Sequence, residues 1–270
     1  MQKKILFILT SLTTLALIFL LASCSNPYSG NYVEVTDSTE LKQLETNIQN
    51  VDAAISSAAS YEMEISGSMK MKYDSMTSKT SFSCSGIVDS TNKRSYSKIK
   101  TTMSASGEAG GSLKATVETW TDMTSNGVSY IDYDYSMKYL GESVSDSKKI
   151  KGSLRNLDFN YGDEFMDVMS EFQPNKIINE LEKSANTVYA DGNKIKIELD
   201  YDGFSAILYF IVNEDSYQFK LEVPETTQGS NSISEIVEVK VSKSTKTVEM
   251  PSNPDDFEET TSFDFADYDF

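Results

Sequence analysis

Histidine is absent from the 270 residues and cysteine occurs only twice. Without imidazole there is no Ser-His or Cys-His catalytic pair and no histidine metal site. Two cysteines cannot assemble a zinc cluster or a disulfide framework. Basic residues are scarce as well: 24 Lys+Arg stand against 41 Asp+Glu, a formal charge of −17. A surface of that sign repels phosphate and excludes nucleic acid as a partner. The chain has no phosphate-binding glycine loop, no dinucleotide fingerprint and no G-x-S-x-G. No cofactor and no enzymatic activity are therefore expected. Asp132, Asp134, Asp200 and Asp202 lie beside tyrosines, but 41 acids produce such neighbours by chance. The Asp191-Gly192-Asn193 segment lacks the loop spacing and closing Glu of a calcium site, so no metal is expected either.

The N-terminus carries the strongest positive signal. Lys3 and Lys4 precede an apolar run from Ile5 to Leu21, which ends in Leu21-Ala22-Ser23-Cys24. This resembles a lipobox, in which Cys24 is acylated and becomes the first mature residue. The run holds Thr10, Ser11, Thr13 and Thr14 and falls short of the roughly 20 apolar residues of a membrane span. Residues 1–23 thus read as a lipoprotein signal peptide. Two acyl chains on Cys24 give stable membrane residence where one does not. The expected location is the cell membrane, lipid-anchored and facing outside the cytoplasm. Cys84 alternates with Phe82 and Gly86 in a strand pattern and reads as a small buried residue.

Residues 24–38 read as a tether and 39–250 as one domain. Leu41, Leu44, Ile48, Val51, Ile55 and Ala58 recur at steps of three and four, which predicts an amphipathic helix capped by Ser38 or Thr39. From Tyr61 the period is two, and turn signals mark strands around 61–73, 79–88, 94–105, 113–123 and 128–139. Gly141 to Gly152 reads as a polar loop. Residues 162–184 read as helical, with Phe165, Met166, Met169 and Phe172 on one face. A second meander follows, with alternation at Ile195–Tyr201, Tyr217–Val223 and Val237–Val241. Phe204–Val212 is apolar on both parities, as in a strand covered on both faces. Residues 251–270 form a tail with seven acids and five aromatics, read as a solvated segment or as a contact for a protein partner.

The order of helix, long-stranded meander, helical insert and second meander resembles the LolA/LolB-like superfamily of lipoprotein carriers, especially its LppX-type members. The likeness rests on that order and on the passage from Val51-Asp52-Ala53-Ala54 to Ser60-Tyr61-Glu62-Met63. It implies an incomplete antiparallel barrel with helices in its concavity and an apolar cavity for acyl chains. The expected fold is α+β, a strongly curved antiparallel sheet of about nine or ten strands with helices packed on its concave face. Nine of the eleven Met lie between Met63 and Met169, and Met adapts to varied apolar ligands. The expected cavity face comprises Met63, Ile65, Met69, Met71, Tyr133, Tyr135 and Met137. The function read from the sequence is a non-enzymatic lipoprotein binding a lipid or other apolar ligand. The alternative is an interaction or structural lipoprotein with a filled core and no ligand.

Overall fold

The computed structural model describes residues 26–107, 110–124, 127–153, 178–179, 181, 186–201 and 204–260. In chain order these form β1 (Val33–Glu34), α1 (Ser38–Ser56), β2 (Ser60–Tyr73), β3 (Met76–Asp89), β4 (Arg94–Ser106), β5 (Gly111–Asp122), β6 (Val128–Tyr139) and β7 (Glu142–Ser153). They continue as β8 (Thr187–Asp191), β9 (Lys194–Tyr201), β10 (Phe204–Val212), β11 (Ser216–Gln228), β12 (Asn231–Ser244), a 3-10 turn at Pro254–Asp256 and β13 (Glu258–Glu259).

All thirteen strands belong to one sheet, in the order β1-β8-β9-β10-β11-β12-β2-β3-β4-β5-β6-β7-β13. It consists of two antiparallel meanders, β2 to β7 and β8 to β12. They are fused where β12 pairs with β2 from Ser232↔Lys72 to Ser244↔Ser60. The hairpins follow from local chemistry. Asp74 (φ 51°) and Gly229 (φ 65°) take the left-handed conformation at the β2–β3 and β11–β12 turns, where Asp and Gly bear the least strain. Pro224 sits at a register shift between Val223 and Thr226, a place where a strand tolerates a residue with no N–H.

Helix α1 begins at Asp37, whose carboxylate accepts from the Thr39 amide at 2.7 Å; the cap is thus one residue earlier than Ser38. Leu44, Ile48, Val51 and Ile55 are its buried face. They join Ile65, Phe82, Cys84, Ile195, Ile197, Phe210, Phe219, Val237 and Val239 in the main core, together with Leu181. The helix contacts β10, β11 and β12. A smaller cluster of Ile131, Tyr133 and Ile150 lies on β6 and β7, with Val117 and Tyr135 packed against it. Cys84 is buried and unpaired, and burial pushes its thiol up to about 12.

The expected α+β class is corrected by this architecture. The described chain is nearly all β, a single thirteen-stranded sheet with one helix of defined bounds, and that helix rests on three strands. It is not a sheet of nine or ten strands roofed by helices. The extra strands have a physical origin. Residues 142–153, read as a loop, form β7; the sequence Glu-Ser-Val-Ser-Asp-Ser-Lys-Lys-Ile-Lys-Gly-Ser is polar on both parities, so its periodicity is hidden. Strands β1, β8 and β13 are too short for alternation to register. The helix read over 162–184 falls outside the described residues except at Ile178, Asn179 and Leu181, which are helical. The LolA/LolB-like resemblance, which implied an incomplete barrel with helices in its concavity, is overturned on the same ground.

The segment from Asn26 to Thr36 lies on the sheet. Tyr28 is buried, with its ring 5.7 Å from that of Tyr209, and Tyr32 stands 6.2 Å from the same ring. The Ser29 carbonyl accepts from Lys194 at 2.6 Å. At the other end of the chain, Phe257 is buried edge-on against Tyr130 and Trp120, 5.2 and 6.4 Å between centroids. Strand β13 runs parallel to β7.

A candidate ligand cavity on the inner face of the sheet

Direct register places Val223 opposite Glu235, Glu235 opposite Met69, Met69 opposite Thr80, Thr80 opposite Met103, and Met103 opposite Leu113. Side chains paired this way share one face. The six residues therefore form a single crosswise row over β11, β12, β2, β3, β4 and β5. Their parity is that of Val237, Val239, Ile65 and Cys84, which face α1 and the core. The row lines a cavity of about 600 Å³. It lies toward the sheet end that carries the Asp74 and Gly229 turns. The volume is in the range of small-molecule sites, and four of the six side chains are apolar.

Two groups in this row are polar and unanswered among the described residues. There the Oγ1 of Thr80 is buried with no hydrogen-bond partner. The Glu235 carboxyl has no hydrogen bond or ion pair among the described residues, and burial pushes it up to about 7. An unsatisfied buried group costs about 1–3 kcal/mol. Such groups are kept where a ligand or water supplies the missing partner.

The second large cavity, of about 630 Å³, is of another kind. It lies at the C-terminal end of α1, and its charges are paired. Glu62 accepts from Ser244 and Lys246, both at 2.5 Å, and Lys243 pairs with Asp215. The outer face of the sheet is also a ladder of satisfied charges: Lys98 with Glu118 at 2.5 Å, Lys196 with Glu198 at 2.6 Å, Lys220 with Glu222 at 2.7 Å and Lys149 with Asp132 at 3.1 Å. Among the described residues no cluster of His, Cys, Asp or Glu could hold a metal. No described helix is long and apolar enough to cross a membrane.

The seven residues expected to form the cavity lie on one face of the sheet, and the structure divides them among different surroundings. Met69 alone lines the cavity, and it is 2% exposed. Ile65 lies in the main core, with Met63 and Met71 packed against it. Tyr133 and Tyr135 belong to the smaller cluster. Met137 is paired with Leu113, one strand beyond the cavity wall. Sequence reasoning missed Glu235, Thr80, Met103, Leu113 and Val223. One signal was available: Glu235 occupies the parity of Ile233, Val237, Val239 and Val241, an acid in an otherwise apolar register. Cys24 lies outside the described residues.

No family model matches the chain, and no curated protein matches it. A solved structure with some likeness is the translocator domain of autotransporter NalP from Neisseria meningitidis, 7% identical, covering 77% of this chain and 98% of that chain with a TM-score of 0.25. At that score the likeness carries no argument about function. None of the comparisons brings support to the lipobox reading.

Proposed function

We propose that the protein is a non-enzymatic, membrane-associated binder of an apolar ligand, held at the membrane through Cys24. The observation that carries this reading is the cavity of about 600 Å³ walled by Val223, Met69, Met103 and Leu113. An apolar space of this size inside a sheet forfeits dispersion contacts when empty, and an apolar ligand restores them. Support for the membrane side comes from the Leu21-Ala22-Ser23-Cys24 sequence.

Native mass spectrometry of the purified chain tests the ligand directly. The wild type is expected to carry an apolar molecule that denaturation releases. Met69→Trp, which fills the space, is expected to come free of it while the protein remains folded by circular dichroism. A wild type without adduct that also fails to take up the neutral dye Nile red, with Met69→Trp identical to it, would leave a filled scaffold in place of a binder.

A further inference from the structure

We infer that the cavity's ligand is an amphiphile with a cationic amino head, seated so that the head meets Glu235 and Thr80 while its apolar body lies along Met69, Met103 and Leu113. This deepens, and rests on, the ligand-binding reading above. Among the described residues the cavity holds no built-in counter-charge for Glu235. The charged side chains at its margin are Lys70, Lys79, Lys114, Glu222 and Glu225. Each is the sequence neighbour of a residue in the row or lies two positions from it at the β11 register shift. The lysines therefore project to the opposite side of their strands. Lys70 is also engaged by Glu225 at 3.6 Å, and Glu222 by Lys220 at 2.7 Å.

Glu235 and Thr80 flank Met69 from the two neighbouring strands, about 10 Å apart at the backbone. An ammonium has three donors and no acceptor. One such head serves the carboxylate directly and the Thr80 hydroxyl directly or through one water. An anionic head would set like charge against Glu235 in a poorly solvated space. A purely apolar ligand would leave both groups unanswered. The row thus favours a cationic donor over either alternative, and the favoured class is a single-chain alkyl amine or a lipid with a primary amine.

The test uses three probes of equal chain length, decylamine, decanol and decanoate, titrated calorimetrically into the purified full chain at about pH 8, where the amine is still protonated. Decylamine is expected to bind at least about tenfold more tightly than decanol, with decanoate weakest. Glu235→Gln is expected to abolish the advantage of the amine while decanol affinity stays within about twofold, and Thr80→Val to reduce that advantage in part. Because Gln is isosteric and neutral, the variant folds if the site is as described; retained decanol binding certifies it. Equal affinity for decylamine and decanol, unchanged by Glu235→Gln, overturns the cationic-head inference and leaves the apolar-ligand reading intact. Failure of all three probes to bind the wild type overturns that reading itself.

Discussion

Glu235 lies between Val223 and Met69 in the register, and its half-buried carboxyl has no partner among the described residues. Its folded pKa is raised to about 7 from an ordinary value of 4.5. The folded state therefore holds this proton more tightly than the unfolded chain does. By linkage, the contribution of Glu235 to stability declines as pH climbs from about 4.5 to about 7 and is level above that. Glu235→Gln removes the dependence. In urea denaturation at about pH 8 the variant is expected to be more stable than wild type by on the order of 2 kcal/mol, with the two curves converging near pH 4. A difference that does not change with pH would mean the carboxyl is solvated in the folded state. Cys84 illustrates the opposite residue-scale case. It is more deeply buried than Glu235 and sits in the main core with apolar neighbours, and that burial, with its raised thiol pKa, makes it inert to alkylation while the fold is intact.

Helix α1 was readable because its signal is local. The 3.6-residue period of Leu44, Ile48, Val51 and Ile55 states which face is buried, and those four are its buried residues. Ile48 is fully buried. Ile48→Ala is expected to cost about 2–5 kcal/mol in chemical denaturation, whereas Lys42→Ala on the exposed face should stay within about 0.5 kcal/mol. Comparable losses for both would mean that α1 is held by its caps or backbone and not by its apolar face. The long strands β2 to β6 were readable for a related reason, the period of two. Strand β7 was not, since a strand whose two faces are both polar has no periodicity to detect. The cavity row was not legible either. It is assembled from one residue on each of six strands, and only register, set by pairings up to 166 residues apart such as Glu235↔Met69, brings them side by side.

At the scale of the whole molecule, the two ends of the sheet differ, and the N-terminal segment chooses between them. Tyr28 and Ser29 are fixed to β10 and to Lys194 of β9, near the Gly192 and Glu214 turns. The cavity row lies toward the other end, with the Asp74 and Gly229 turns. Three residues separate Cys24 from Tyr28, and the four chain steps reach at most about 14 Å. If Cys24 carries the lipid, the Glu214 end is held close to the bilayer and the Ser75 end stands away by the length of β2, about 45 Å for 14 residues. Cys84 is 3% exposed, so a thiol-reactive fluorophore reports a single introduced cysteine. Glu214→Cys and Ser75→Cys both place it at an exposed turn. With the acylated protein on vesicles containing a headgroup acceptor, transfer from the label at Glu214→Cys is expected to be strong and that at Ser75→Cys weak. Replacing Cys24 with Ala is expected to remove both signals together with the membrane association. Equal transfer from the two positions would refute the docked N-terminal segment as the element that orients the sheet, and membrane association that survives Cys24→Ala would refute the anchor.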